Sequence, residues 1–214
     1  MKNNFYLKFL LSTIIVMMIY ALSYLYLDIP LAYAAKSLSK TFLFTISTYV
    51  TRLGDDKIWT MIIIIGLLII GIQTYQNKIL SVNSKKFGYV FLSILFATVI
   101  GSVLKVILAR YRPEMLFEHG LYGFHYFSLK DMYHSTPSGH ALCIFAACTS
   151  LSILFRRYMV LFFLIAIIVG LSRIILTKHY LSDVILGAYI GMMSALIINH
   201  LYNIKLLTTK SSKS

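Results

Sequence analysis

Lys105, Arg112, Ser138, Gly139, His140, Arg173, His179 and Asp183 are the residues whose types and spacing carry chemistry in this chain. Imidazole is a nucleophile and proton carrier near neutral pH, and which ring nitrogen acts is set by the partner of the other. Asp183 follows His179 by four residues. A helix beginning near His179 therefore puts imidazole and carboxylate on one face, with Asp183 holding one ring N–H and orienting the opposite nitrogen. Lys105 and Arg112 are seven residues apart, two helical turns, so their long side chains can meet over one anion. Pro113 nevertheless disfavours helix at Arg112 and turns the chain into a loop.

Thr136-Pro137-Ser138-Gly139-His140 reads as a helix start. Thr136 can cap, Pro137 suits the first turn, and Gly139 lets a ligand approach the backbone closely. Free N–H groups and the positive end of the helix dipole favour an anion there. Neither an HExxH pattern nor paired cysteines are present, so no metal is expected. Cys143 and Cys148 lie five apart in one apolar run, on different helix faces, and are read as packing residues.

The elements that must position these residues are set by composition. Of 214 residues, 59% are apolar and 13% charged, outside the balance of a water-soluble domain. Apolar runs span Phe9 to Leu27, Ile58 to Tyr75, Phe87 to Leu108, Gly139 to Phe155, Tyr158 to Leu176 and Val184 to Ile204. The fold class expected is all-α: a polytopic membrane protein with six transmembrane helices, as a single domain over residues 1–214. The formal charge of +13 is scattered between apolar runs instead of forming one face or tail, which argues against a nucleic-acid partner.

In that layout the ends of spans three and five and the starts of spans four and six reach one side of the membrane. Lys105, Arg173 and Asp183 lie close to those ends. Any one of them alone reads as an interfacial anchor, because a long side chain near a helix end can snorkel to water. Their convergence on one surface, with His140 and His179, points to an anion site.

Orientation needs that site. Lys2, Lys8, Lys78, Lys85, Lys86, Arg156, Arg157, Lys205, Lys210 and Lys213 share one side, ten of the twenty basic residues. Setting aside Lys105, Arg112 and Arg173 as ligand-binding leaves seven on the other side, so both termini are placed in the cytoplasm. Ala32-Tyr33-Ala34 resembles a signal-peptide cleavage site, but the nineteen-residue apolar run before it favours an uncleaved first span. Leu38, Phe42, Ile46, Tyr49 and Leu53 recur at helical spacing as an amphipathic interfacial segment. Gly187-x3-Gly191 reads as a close helix contact.

Lys105-x6-Arg112-Pro113, Pro137-Ser138-Gly139-His140 and Ser172-Arg173-x5-His179-x3-Asp183 resemble the three signature motifs of the type 2 phosphatidic acid phosphatase (PAP2) superfamily. The resemblance implies a metal-independent, cofactor-free membrane phosphatase. In it His179 attacks phosphorus to form a phosphohistidine, Asp183 supports His179, and His140 serves as acid and then base. Lys105, Arg112, Ser138, Gly139 and Arg173 would hold the phosphoryl oxygens. It also implies a lipid phosphate substrate at the periplasmic face of a bacterial inner membrane. Undecaprenyl diphosphate, phosphatidylglycerophosphate, phosphatidic acid and lipid A phosphate are the candidates, and no residue decides among them or fixes an oligomeric state. Transfer of phosphate to a second lipid through the same intermediate is the close alternative, and an anion transporter the distant one. His119, His125, His134 and His200 fall outside the motifs and are read as loop or interface residues.

Overall fold

The computed structural model of the chain describes residues 2–77 and 82–202. Its α-helices are α1 (Lys2–Leu22), α2 (Asp28–Ser37), α3 (Phe42–Val50), α4 (Asp56–Asn77), α5 (Val82–Leu108), α6 (Pro113–His119), α7 (Gly139–Leu154), α8 (Met159–Ile175) and α9 (Leu181–Tyr202). A π-helical turn, Ser23–Leu27, joins α1 to α2, and a 3-10 turn, Thr51–Gly54, follows α3. Among the described residues the sole β pairing is an isolated bridge between Arg110 and Phe124.

Five helical stretches are long and apolar enough to cross a membrane: Phe5–Ser37, Phe42–Gln76, Val82–Leu108, Arg156–Ile175 and Leu181–Leu201. The expected run from Gly139 to Phe155 forms α7, which has 16 residues. At 1.5 Å per residue it is about 24 Å long, short of the roughly 30 Å of a hydrocarbon core. Its length is free of that constraint because it is enclosed by protein instead of facing lipid. The end of the last expected span, Asn203 and Ile204, lies outside the described residues, as do Lys78, Lys205, Lys210 and Lys213.

Helix α7 is apolar on every face and buried along most of its length. Leu142, Cys143, Ala146 and Ala147 pack with Ile94 and Ala97 of α5 and with Ile190 of α9. Ala141, Ile144, Phe145 and Cys148 pack with Ala166 and Val169 of α8. Ser150 and Ser152 donate back to the carbonyls of Ala146 and Cys148, so their hydroxyls are satisfied within the helix. Helix α9 approaches through the expected glycine pair. A Cβ on Gly187 would stand 2.6 Å from the Ser138 carbonyl oxygen, and one on Gly191 would stand 2.8 Å from the Ala146 nitrogen.

The outer faces carry the exposed apolar side chains, among them Leu10, Leu25, Ile64, Leu68, Val99, Leu161 and Ile168. Apolar surface of that extent is stable only against lipid. The amphipathic segment expected near residues 38–53 forms α3, capped by the Thr41 hydroxyl, which accepts from the Phe44 amide at 3.4 Å. The turn after α3 is tied to α4 by the Trp59 indole, which donates to the Leu53 carbonyl at 2.8 Å.

The closeness of α7 and α9 makes a stability prediction. Gly191→Ala drives a methyl into the α7 backbone, and overpacking of this kind costs about 1–3 kcal/mol. Its thermal midpoint in detergent should fall clearly below wild type; an unchanged midpoint means that α7 and α9 are not so closely packed.

Candidate active site

The site is built where α5 and α8 end and α7 and α9 begin. Lys105 lies in the last turn of α5, Arg173 in the last turn of α8, and Asp183 in the first turn of α9. Ser138 is the N-cap residue of α7, and Gly139 and His140 open the helix. The Ser138 amide donates to the Asp183 carbonyl at 3.1 Å, joining the two helix starts.

After α5 the chain turns sharply, with Ala109 at a φ of 41°. The segment that follows is held from both sides. Tyr111 N–H donates to the Gly123 carbonyl at 3.0 Å, and Ser135 N–H donates to the Arg110 carbonyl at 3.1 Å. Arg112, extended ahead of Pro113, donates through Nε to the Asp131 carbonyl at 3.0 Å and through Nη2 to the Asp131 carboxylate at 3.1 Å. Arg173 donates to the Thr51 hydroxyl at 2.7 Å, so the turn after α3 also supports the site.

His179 sits in the turn between α8 and α9, 4% exposed, with Nδ1 at 2.7 Å from the Ser135 carbonyl. A carbonyl oxygen only accepts, so Nδ1 carries the proton and Nε2 keeps its lone pair. That is the tautomer a nucleophile requires.

Asp183 does not supply this contact, contrary to the expectation from spacing. Its carboxylate is 3.9 Å from Nδ1. The reason is the helix boundary: α9 starts at Leu181, so His179 precedes the helix and the i to i+4 geometry does not apply. Asp183 instead reaches back to accept from the Tyr180 amide at 2.9 Å, in the manner of a capping box. It also accepts from the Ser135 hydroxyl at 2.6 Å, from the Thr136 hydroxyl, and from Arg110 Nη1 at 2.5 Å. Its hold on His179 passes through Ser135. Thr136, expected as the cap of α7, is spent on this carboxylate, and Ser138 stands at the cap position without a side-chain cap bond.

Burial pushes the His179 imidazole well below its ordinary pKa, and the charges of Arg173, Arg112 and Lys105 push in the same direction. The three cations expected from sequence thus act on one ring. Ser138 Oγ is buried and has no hydrogen-bond partner. An orphaned buried hydroxyl beside a helix N-terminus suits a phosphoryl oxygen.

Arg110 and Asp28 were not singled out in the sequence, yet both are fully buried at this site. Arg110 reads as one more cation in a loop, and Asp28 as the polar end of an apolar run. The usable signal was that a carboxylate closing a membrane run needs a partner. Tyr122 and Phe124, from the loop after α6, stack on Tyr24 at 5.0 and 5.5 Å. His125 packs against Tyr133, and His134 Nε2 lies 2.8 Å from the Ser128 carbonyl, both in loop roles. Among the described residues no cluster of His, Cys, Asp and Glu has the makings of a metal site.

The family model of the PAP2 superfamily matches residues 86–206, which contain every motif residue above. The chain belongs to the PAP2 superfamily. It is therefore a membrane phosphatase of PAP2 type. A lipid A 1-phosphatase of Rhizobium etli is 31% identical over 159 residues, 71% of this chain and 68% of that protein. A lipid A 1-phosphatase of Rhizobium johnstonii is 34% identical over 110 residues, 51% of this chain but 45% of the relative's length. The fold is shared with two solved PAP2-like structures. LpxE of Aquifex aeolicus has a TM-score of 0.61 at 24% identity, covering 81% of this chain and 95% of that one. The PAP2-type phosphatidylglycerolphosphate phosphatase of Bacillus subtilis has a TM-score of 0.59 at 17% identity, covering 89% and 95%.

Two outcomes follow for this PAP2 site. With its folded pKa below the ordinary 6.5, His179 should remain neutral in the folded protein as pH drops past that value, visible in its ring 15N shifts. The unfolded chain takes up the proton first, so His179 withdraws stability as pH falls below about 6.5, and its contribution is whole above that. A ring titrating at 6.5 or higher contradicts the burial. Ser138→Ala, which breaks no side-chain hydrogen bond within the protein, should leave the thermal midpoint unchanged. It should lower kcat/KM about tenfold, the loss of one hydrogen bond to a charged oxygen.

Proposed function

We propose that this chain hydrolyses a phosphomonoester on a lipid A-like glycolipid through a phosphohistidine at His179, at the periplasmic face of a bacterial inner membrane. The observation that carries the mechanism is the Ser135 carbonyl against Nδ1, which leaves Nε2 as the free nucleophile among three cations. The two lipid A 1-phosphatases favour lipid A phosphate over undecaprenyl diphosphate, phosphatidylglycerophosphate and phosphatidic acid.

In the first step Nε2 of His179 attacks phosphorus while the bond to the leaving sugar oxygen breaks, and that oxygen takes a proton from His140. Lys105, Arg112 and Arg173 stabilise the spreading negative charge on the phosphoryl oxygens, joined by the Ser138 hydroxyl and the amides opening α7 at Gly139. In the second step a water attacks the phosphohistidine and gives its proton to His140, which releases inorganic phosphate and returns His179 to its starting form. Asp183 keeps Ser135 in place throughout. No metal ion or cofactor enters either step.

Both termini in the cytoplasm put the loop from residue 109 to 138 outside. The exposed Phe127 and Leu129 in that loop then sit where the lipid surface begins.

Purified wild type should release inorganic phosphate from diphosphoryl lipid A, and EDTA should leave the rate unchanged. His179→Ala should remove activity while the protein still inserts and folds; turnover by that variant at the wild-type rate refutes the nucleophile. A doubly phosphorylated acceptor lipid in place of free phosphate would make the enzyme a phosphotransferase. An engineered cysteine at Leu129 should react with a membrane-impermeant maleimide added from the periplasmic side; labelling from the cytoplasmic side alone reverses the orientation.

A further inference from the structure

Asp28 and Arg110 take no part in the steps just described, yet they form an ion pair in which both side chains are fully buried. Arg110 Nη2 donates to Asp28 at 2.7 Å and to the Tyr122 hydroxyl at 3.0 Å, while Nη1 donates to Asp183 at 2.5 Å and to the Ser182 hydroxyl at 2.6 Å. One guanidinium thus spans two carboxylates, one within the first membrane stretch and one in the active site. Asp28 is further held by the Ser182 amide at 3.0 Å, the Ser23 hydroxyl at 3.0 Å and the Ser182 hydroxyl. The Arg110 guanidinium carbon lies 4.4 Å from the Tyr180 ring centre and 4.9 Å from that of Tyr24, so aromatic faces close it off from water.

The chain of contacts continues to His179. Ser135 is fixed at all three of its polar groups: its amide donates to the Arg110 carbonyl, its hydroxyl donates to Asp183, and its carbonyl accepts from His179 Nδ1. Arg110 therefore acts on Ser135 twice, through its own main chain and through Asp183. A buried ion pair is by itself a poor source of stability, since apolar residues of the same volume often serve as well. Its directional hydrogen bonds do what apolar packing cannot, which is to fix the Ser135 carbonyl.

We propose that Asp28 and Arg110 are positioning residues: Asp28 holds the guanidinium, the guanidinium holds Asp183, and Asp183 holds the Ser135 carbonyl that selects the reactive nitrogen of His179. The first membrane run is on this account part of the active site and not a detachable anchor. The inference rests on the phosphohistidine reading.

The test uses the full chain in detergent with Asp28→Asn, Arg110→Lys and Tyr122→Phe. Thermal midpoint, kcat and KM for diphosphoryl lipid A, and the ring 15N shifts of His179 are measured for each. A positioning role lowers kcat by up to about 100-fold with little change in KM, because misplacement of the reacting atom acts on the chemical step. It also mixes the two ring tautomers of His179, which a loss of global stability alone would not do. Arg110→Lys can pair with one carboxylate but not bridge both, so it should keep the fold without restoring kcat. Should either charge variant fail to fold, Tyr122→Phe decides, because it removes a single hydroxyl that touches Arg110 and Asp28 and spares the charges. Wild-type kcat and the Nδ1–H tautomer in the folded variants, with only the midpoint lowered, overturn the proposal. Failure of the underlying reading shows separately, as absence of phosphate on His179 in wild type whatever the variants do.

Discussion

A carboxylate with no access to water has to be met by donors on every side, and Asp183 is the group around which this protein arranges them. Its side chain is fully buried and receives Arg110, Ser135, Thr136 and the Tyr180 amide. Leaving even one such charge unmatched inside a protein costs several kcal/mol. That requirement fixes the start of α9, the residues before α7 and the turn after α5 relative to one another. His179 is placed as a by-product, through the one carbonyl that these constraints leave pointing at it.

The same economy explains the helices. Helix α7 is lined by small residues and met by the glycines of α9, so backbones come close enough for the loops at their ends to share donors and acceptors. Ser138 N–H reaching the Asp183 carbonyl is possible only because Gly187 has no side chain in the way. Packing in the core of the bundle and hydrogen bonding at its rim are two results of one close approach.

Much of this was legible in the sequence because the motif residues lie at helix ends, where apolar runs stop and their boundaries are sharp. Lys105, Arg173, Ser138 and Asp183 fall at the helix ends expected of them. Two things were not legible. The helix start two residues after His179 replaced a direct Asp183 contact by one relayed through Ser135, and a shift of that size is below what periodicity can resolve. The pairing of Asp28 with Arg110 joins residues 82 apart, which no local pattern encodes. The enclosure of α7 by the other helices also escaped, since hydropathy reports apolar character and not whether lipid or protein surrounds it.

That separation of Asp28 from Arg110 has a consequence for biosynthesis. The chain is made from its N-terminus at about 5–20 residues per second, so Asp28 emerges roughly 4–16 s before its counter-charge. During that interval the start of α2 carries an uncompensated acid, which favours the wet interface over its final seat. The arginine then arrives together with the loop it belongs to. Closure of the catalytic centre and final docking of the first helix are thereby one event, late in assembly, so a ribosome-bound fragment ending before Arg110 has neither.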